Sequence, residues 1–264
     1  MIIGNKTFEN DTYIMAIINL TPDSFYEKSR TTNDTLLEKV KKAIDDGASV
    51  IDIGGQSTRP GHTSVSQEEE WKRLENAIKL IKTNFDIPLS VDTYYPYVAE
   101  LALQNGADLI NDIWGLQWGN SDKMAKIIAK YNASVCIMQN QDHISQDKDL
   151  WQYMYKFFDK SLKLCEEAGI QKDKILLDGG IGFGKTKEQN HIVVDNYEKL
   201  HRYGLPLLLG TSRKSMFGGE VKDRLAPTLE TTKKAVRKNV LFVRVHDIKE
   251  NFDTIRQEKE LLKK

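Results

Sequence analysis

The sequence predicts a (β/α)8 barrel with a short N-terminal β-hairpin, forming one domain over residues 1–264. Three observations support this fold class. About eight short apolar runs alternate with longer amphipathic segments, polar residues collect where the runs end, and no linker rich in proline, glycine or serine divides the chain. Alternating strands and helices form a parallel sheet, and eight such units favour a closed barrel over an open sheet.

The strands are predicted from apolar runs that end in polar or glycine-containing loops. A strand pair or hairpin is expected within residues 1–12, with Asn10 and Asp11 as turn residues. The barrel strands are expected at residues 13–18, 50–53, 89–92, 109–110, 134–138, 175–177, 205–209 and 241–245. Apolar runs without alternation are typical of strands that are buried on both faces.

The helices are predicted from apolar residues spaced three and four apart between the strands. Asp34 is placed to cap the first helix, and Pro96 suits the first turn of another. Helical segments are expected at residues 36–44, 67–83, from 96 onwards, and at 150–168, 194–203, 229–238 and 250–262. Strand and helix therefore alternate along nearly the whole chain.

The composition limits the function classes. Lys and Arg number 38, as do Asp and Glu, so a formal net charge of +0 gives no electrostatic footprint for nucleic acid or a membrane surface. The first residues lack the order of a signal peptide, and no apolar run reaches the length of a membrane span. Neither Cys136 nor Cys165 has metal-ligand spacing, so we expect reduced core cysteines in a cytoplasmic protein.

Polar side chains recur at or just beyond the carboxyl ends of the predicted strands. They are Asn19, Thr58, Asp92, Asn111, Asp178, Lys214 and His246. In a barrel these ends converge on one face, where active sites are built. Turn preferences explain Asn and Asp at such places, but they do not explain the adjacent cations. The sequence therefore predicts one polar site at this face.

The residue types in this site suit a heterocycle and a phosphorylated group. Asp92 and Asp178 can each accept two parallel N–H bonds, as from an amino-pyrimidinone edge, and Asn111 can donate and accept. A second set suits phosphate oxygens and, through the amide oxygen, Mg²⁺. This set is Asn19, Arg59, Arg244 and His246. The five histidines show no spacing typical of a catalytic zinc.

Residues 179–186 allow an alternative interpretation. They follow a strand and match the phosphate-loop pattern G-x-x-x-x-G-K-[ST], with Asp247 available as a second metal ligand. The same glycines could instead admit a planar ligand beside Asp178, or form only a tight turn. A phosphate-loop protein would leave Thr211-Ser-Arg-Lys-Ser215 without a purpose, and an ATP-binding assay would distinguish the two interpretations.

Seven motifs, in order along nearly the whole chain, together resemble the dihydropteroate synthase family. They are Asn19-Leu-Thr-Pro-Asp-Ser-Phe25, Asp52-Ile-Gly-Gly-Gln-Ser-Thr-Arg-Pro-Gly61, Ser90-Val-Asp-Thr-Tyr94, Asn111-Asp-Ile113, residues 178–185, Thr211-Ser-Arg-Lys-Ser215 and Arg244-Val-His-Asp-Ile248. The resemblance implies a TIM barrel that condenses 6-hydroxymethyl-7,8-dihydropterin diphosphate with p-aminobenzoate in folate biosynthesis. The products would be 7,8-dihydropteroate and diphosphate.

The resemblance also implies the site residues. Asp92, Asn111, Asp178 and Lys214 would bind the pterin, and Asp92, Asp178 and Lys214 would be catalytic. Asn19, Arg244 and His246 would bind the diphosphate, with Mg²⁺ as cofactor on Asn19. Thr58, Arg59, Pro60, Phe183, Lys214 and Ser215 would frame the aminobenzoate. A homodimer is implied in the same way.

Some features depart from the family pattern. They are Gly179 where Pro is usual, Gln139 where His is common, a short segment at residues 216–232, and Arg237-Lys-Asn-Val240 before the last strand. A non-catalytic or altered pterin-binding homologue is therefore an alternative, and turnover by the purified protein would decide it. A pterin-binding methyltransferase domain is another alternative, although it would not need Ser212-Arg-Lys214 or Arg244-Val-His246.

Two loops, at residues 20–25 and 56–63, are expected to form a lid. Each follows a strand and contains proline and polar residues that have no obvious packing role. A water-sensitive pterin-methyl cation needs a closed pocket, whereas the substrates need a way in. Bound diphosphate and Mg²⁺ are therefore expected to order the loops and complete the aminobenzoate site.

Overall fold

The computed structural model describes residues 1–20, 30–56, 65–141 and 149–263, and at its centre is a closed barrel of eight parallel strands. An antiparallel pair, β1 (Ile2–Ile3) and β2 (Lys6–Thr7), precedes the barrel. The barrel strands are β3 (Tyr13–Asn19), β4 (Val50–Gly54), β5 (Leu89–Asp92), β6 (Leu109–Asp112), β7 (Ser134–Met138), β8 (Ile175–Asp178), β9 (Leu207–Leu209) and β10 (Phe242–Val245). Neighbours in sequence are neighbours in space, and β10 pairs with β3 to close the barrel. The predicted fold class is confirmed.

Within the described ranges, one α-helix follows each barrel strand. The helices are α1 (Arg30–Asp45), α2 (Gln67–Asn84), α3 (Pro96–Gln104), α4 (Lys123–Lys130), α5 (Leu150–Ala168), α6 (Lys187–Asp195), α7 (Leu225–Arg237) and α8 (Ile248–Leu262). Pro96 opens α3, as predicted. In the part of the chain that the structure describes, no helix is long and apolar enough to cross a membrane.

Two predicted helix positions are wrong. Asp34 does not cap α1, because the helix already includes Arg30. The helix predicted at residues 194–203 is two elements, α6 and a 3-10 helix over Tyr197–Tyr203, separated by Asn196. The start of α6 is fixed by Thr186, whose side chain accepts the N–H of the third helical residue in a capping box.

The core has an inner and an outer layer. The inner cluster contains Met15, Val50, Leu109, Cys136, Leu176, Leu208 and Phe242 from the strands. Ile3 and Phe8 join this cluster, so the N-terminal hairpin region closes the amino end of the barrel. The outer cluster packs the other strand faces against the helices and includes Cys165. Both cysteines are buried and free, as predicted.

The polar site forms the layer above the inner cluster. Side chains two residues apart on a strand point to the same face, so four polar residues stand above apolar ones, whereas Asp92 stands above Ser90. The pairs are Val50 and Asp52, Leu109 and Asn111, Leu176 and Asp178, and Phe242 and Arg244. The amino half of the barrel is therefore apolar and the carboxyl half is polar.

Candidate active site

Arg244 bridges two buried carboxylates inside the barrel. Its Nε donates to Asp52 Oδ2 at 2.6 Å, and its Nη2 donates to Asp92 Oδ2 at 2.8 Å. Asp52 is completely buried and also accepts the Ser90 hydroxyl at 2.5 Å. Buried charges need such partners, because their desolvation is costly. Asp52 therefore fixes the arginine, a role that the sequence analysis missed.

The carboxyl of Asp92 has a raised pKa. Burial raises the pKa of its carboxyl to about 7, although Arg244 opposes this shift. Burial lowers the pKa of the Arg244 guanidinium, but Asp52 and Asp92 outweigh this effect and hold the pKa above the ordinary value. The second oxygen of Asp92, Oδ1, is buried and has no hydrogen-bond partner among the described residues. An orphaned buried acceptor of this kind indicates a missing donor.

Asp178 and Asn111 present further polar atoms to the same layer. Asp178 Oδ1 accepts the N–H of Gly180 at 2.8 Å, whereas Oδ2 makes no hydrogen bond within the described ranges. Burial raises the pKa of Asp178, and the nearby Lys214 opposes this effect. Asn111 is a largely buried residue, and its side-chain amide likewise makes no hydrogen bond in the described part of the chain. The layer therefore keeps donors and acceptors free for a ligand.

Lys214 lies at the edge of this layer. Its amine donates to the Ile181 carbonyl and stands 4.8 Å from the centre of the Phe183 ring. Burial lowers the pKa of this amine to about 8, although Asp178 counteracts it. Ser215 begins the following 3-10 helix and is exposed. The structure thus brings Phe183, Lys214 and the aspartates into one region.

A small apolar wall faces the polar layer. Tyr94, Ile113 and Met138 form a buried cluster, against which Phe183 packs. Met138 is in register with Asp178 on the neighbouring strand. A flat ring could therefore lie on the wall while its edge meets the polar groups. The sequence analysis did not single out Ile113 or Met138, because apolar residues at strand ends look like ordinary core.

His246 is held by Ser212, in the loop after β9. The Ser212 hydroxyl lies 2.9 Å from His246 Nδ1 and accepts the backbone N–H of His246 at 3.2 Å. Arg213 has a positive φ of 52° and donates to both oxygens of Asp247, at 2.7 and 2.5 Å. Asp247 therefore has a cationic partner, and its proposed use as a second metal ligand loses support.

The glycine-rich loop is packed against the protein itself. Gly180 and Gly184 have positive φ, and a Cβ on either would collide with the backbone carbonyl of Gln139 or Gln141. A Cβ on Gly182 would lie 3.1 Å from the stem of Lys214. Of the alternatives that the sequence leaves open, this packing favours a tight turn, because these glycines admit the loop after β7 and a lysine side chain.

Lys185 does not behave as a phosphate-loop lysine. Its amine donates to Gln139 Oε1 and to the carbonyls of Gly180, at 3.0 Å, and Phe183, at 3.2 Å. Burial lowers the pKa of this amine to about 7. Thr186 caps α6 rather than facing a metal site. Lys185 therefore holds the loop that carries Phe183, and the phosphate-loop interpretation fails.

The remaining predicted residues lie at the rim or outside the described ranges. Asn19 is exposed at the end of β3, in register with Gly54. Its amide has no partner in the described part of the chain, and no three His, Cys, Asp or Glu side chains there form a metal cage. A single amide oxygen at the rim fits Mg²⁺, which is usually shared with substrate phosphates and water. Thr58, Arg59 and Pro60, like most of the two predicted lid loops, lie outside the described residues.

Comparison with known proteins places this geometry in context. The family model described as pterin binding enzyme matches residues 15–246. The dihydropteroate synthase of Clostridium beijerinckii is 46% identical over 260 residues, which cover 95% of each chain. The structure is similar to that of Clostridium difficile dihydropteroate synthase, determined in the presence of pteroic acid, with a TM-score of 0.90, 43% identity and 99% of each chain covered. It is also similar to the Xanthomonas albilineans enzyme with 4-aminobenzoic acid, with a TM-score of 0.88, 31% identity, and 96% of this chain and 94% of that one covered.

Proposed function

We propose that the barrel site of this chain binds the pterin in its polar layer and the aminobenzoate beside Phe183 and Lys214. The chain belongs to the dihydropteroate synthase family of pterin-binding enzymes. The enzyme joins the pterin-methyl group of 6-hydroxymethyl-7,8-dihydropterin diphosphate to p-aminobenzoate and releases diphosphate, a step of folate biosynthesis. One observation carries the assignment of the site. Inside the barrel, Asp92 Oδ1, Asp178 Oδ2 and the Asn111 amide are unpaired within the described ranges.

The pterin lies in the polar layer against the apolar wall. Its amino-pyrimidinone edge donates to Asp178, and Asn111 and Asp92 pair with the remaining polar edge. Lys214 donates to a ring carbonyl or nitrogen, which suits a cation beside two carboxylates. The enclosed position of this layer supports the proposal, because hydrogen bonds to charged groups strengthen where water is excluded.

The diphosphate lies at the rim, towards β10 and β3. Arg244 uses Nε and Nη2 for Asp52 and Asp92, which leaves other N–H groups of its guanidinium for phosphate oxygens. His246, held by Ser212, and Asn19 occur at the ends of neighbouring strands. Mg²⁺ held by Asn19 would neutralise charge on the leaving diphosphate.

The protein promotes departure of the diphosphate by stabilising positive charge on the pterin. Asp92 and Asp178 are negative groups that contact the polar edges of the pterin ring, over which the positive charge is delocalised, and fixed charges act strongly in a dry site. Lys214 and Arg244 favour the ionised forms of these carboxyls. Phe183 and Lys214 are in contact and would face the aminobenzoate, together with Ser215. The roles of Thr58, Arg59 and Pro60 stay predictions of the sequence.

Release of diphosphate by the purified protein, in the presence of Mg²⁺, tests the function. We expect release to require both the pterin diphosphate and p-aminobenzoate and to yield 7,8-dihydropteroate. A protein that binds the pterin but releases no diphosphate would be the non-catalytic homologue. The homodimer and the cytoplasmic location also stay predictions, and sedimentation equilibrium measures the former.

A further inference from the structure

The hydroxyl of Tyr197 lies between β8 and β9 where the two strands separate. In this parallel pair, the backbone N–H of Leu177 donates to the Pro206 carbonyl at 3.0 Å. The next ladder bond would run from the N–H of Gly179 to the carbonyl of Leu208. Instead, the Gly179 N–H donates to Tyr197 Oη at 2.7 Å, and this hydroxyl donates to the Leu208 carbonyl. The tyrosine hydroxyl is therefore inserted into the ladder directly after the carboxylate that ends β8.

Gly179 provides the space for the tyrosine ring. Its φ is not positive, so the backbone conformation does not itself require glycine here. A Cβ on Gly179 would lie 2.8 Å from the ring of Tyr197, which is completely buried. Any other residue at this position would displace the ring or the strand end. The glycine and the tyrosine therefore form one structural unit.

This unit lies next to the side chain of Asp178. After the strands separate, the chain turns so that the N–H of Gly180 reaches Asp178 Oδ1 at 2.8 Å, and Tyr197 Oη lies 3.5 Å from the same oxygen. Oδ2 points towards Gly210. A Cβ added to Gly210 would lie 3.7 Å from Asp178 Oδ2 and 3.9 Å from the Cβ of Arg244. One carboxylate oxygen is thus held by the protein while the other faces the barrel interior.

We propose that Tyr197 is a positioning residue for Asp178. By separating β8 from β9, its hydroxyl sets the carboxylate so that Oδ2 meets the amino-pyrimidinone edge of the pterin. The inference rests on the pterin role proposed for Asp178. A positioning role differs from a packing role, because Tyr197 would change pterin affinity only through the carboxylate of Asp178.

A double-mutant cycle tests this coupling. The affinity for 6-hydroxymethylpterin is measured by calorimetry for the wild type, Tyr197→Phe, Asp178→Asn and the double variant. Tyr197→Phe keeps the ring but leaves the Gly179 N–H and the Leu208 carbonyl unpaired. We expect it to weaken binding about 10-fold in the wild type and to have little further effect when Asp178 is already Asn. In turnover, KM for the pterin diphosphate should rise more than KM for p-aminobenzoate.

Tyr203→Phe is the matched control. Its hydroxyl, in the same 3-10 helix, lies 3.1 Å from the Tyr155 carbonyl and 2.9 Å from Asp159 Oδ1, either of which accepts its hydrogen, and neither residue belongs to the site. This variant should leave pterin affinity unchanged. Should Tyr197→Phe fail to fold, Gly179→Ala, which displaces the same ring, replaces it in the cycle.

The outcomes separate this inference from the proposed function. Equal losses from Tyr197→Phe in both backgrounds, or no loss in either, would overturn the positioning role while leaving the pterin role of Asp178 intact. Unchanged affinity in Asp178→Asn alone would instead remove Asp178 from the pterin site, and the inference would fall with it.

Discussion

At the scale of single residues, the site depends on groups that the barrel leaves without partners. Asp178 is the clearest case, because one oxygen is held by Gly180 and the other makes no hydrogen bond within the described ranges. Asp112, on β6 of the same barrel, provides a contrast. Both of its oxygens accept backbone N–H groups, from Trp114 and Leu116 at 2.8 Å. Of these two aspartates, Asp178 is the one with an oxygen left for a ligand donor.

Asp178→Asn should lower pterin affinity by about 2–4 kcal/mol, because it replaces an accepting oxygen by a donor and removes a charge-assisted bond. Calorimetric titration with 6-hydroxymethylpterin measures this loss. Asp112→Asn is the control, since it should lower the free energy of unfolding and spare the affinity of the folded protein. Equal affinity losses in both variants would contradict the assignment.

Pterin affinity should have a maximum near pH 7–8. Asp92 must be ionised to accept hydrogen bonds and has a pKa of about 7, so affinity falls as the pH drops below this value. Lys214 must be protonated to donate and has a pKa of about 8, so affinity falls as the pH rises above it. Calorimetry across this range, corrected for ionisation of the ligand, measures the profile. Lys214→Arg should remove the loss of affinity above pH 8, because arginine stays protonated there. If the variant still loses affinity above pH 8, Lys214 is not the cause.

At the scale of elements, strand alternation determines which residues share the site. The sequence shows which strands end in polar residues, and the closed barrel brings these strand ends to one face. The sequence did not reveal that residues 179–186 form a packed loop and the cap of α6, because glycine, lysine and threonine fit a phosphate loop equally well. Asp52 had a usable signal, since a charge within the apolar run of β4 requires a buried partner.

Arg244 lies on β10 and His246 directly follows this strand, yet their substitutions should differ. His246→Ala should weaken binding of the pterin diphosphate and spare a pterin without phosphates, because the histidine lies at the rim. Arg244→Ala should weaken both, because it leaves the carboxylates of Asp52 and Asp92 buried without their cation. Competitive binding of the two ligands measures the difference. A loss of the phosphate-free pterin in His246→Ala would refute this division.

The helix α2 contains a buried acid, Glu70, whose effect on stability depends on pH. The Thr93 hydroxyl donates to Glu70 Oε2 at 3.1 Å, while Oε1 has no partner among the described residues. Burial raises the pKa of this carboxyl to about 8, so the folded state holds a proton that the unfolded state releases above about pH 4.5. Its contribution to stability is therefore present at low pH and is lost as the pH rises towards 8.

Glu70→Gln should remove this dependence, because the amide cannot ionise. Relative to the wild type, the variant should gain free energy of unfolding between pH 5 and pH 8, as measured by urea denaturation. Glu69→Gln is a control from the same helical turn, since Glu69 is partly exposed and pairs with Arg73 at 3.0 Å. A difference between Glu70→Gln and the wild type that does not change with pH would contradict a buried, protonated Glu70.

At the scale of the whole molecule, the barrel is an apolar base below a polar layer. The order of strands and the class of fold could be predicted, because apolar runs and polar ends are local features of the sequence. The bridge from Arg244 to Asp52 joins residues far apart in the chain, and no local pattern contains it. The helix starts at residues 67, 96 and 150 were predicted correctly, whereas the start of α6 was missed although Thr186 and Gln189 form a capping box there.

We propose that the barrel itself holds the pterin, while bound diphosphate and the lid expected from residues 20–25 and 56–63 complete the aminobenzoate site. The most direct test is equilibrium dialysis of p-aminobenzoate against the protein, alone and with 6-hydroxymethylpterin, Mg²⁺ and diphosphate. We predict weak binding to the free protein and much tighter binding when all three are present. The Arg59→Ala variant should still bind the pterin, but its affinity for p-aminobenzoate should no longer increase when pterin, Mg²⁺ and diphosphate are present. Equal affinity for p-aminobenzoate with and without diphosphate would contradict the account.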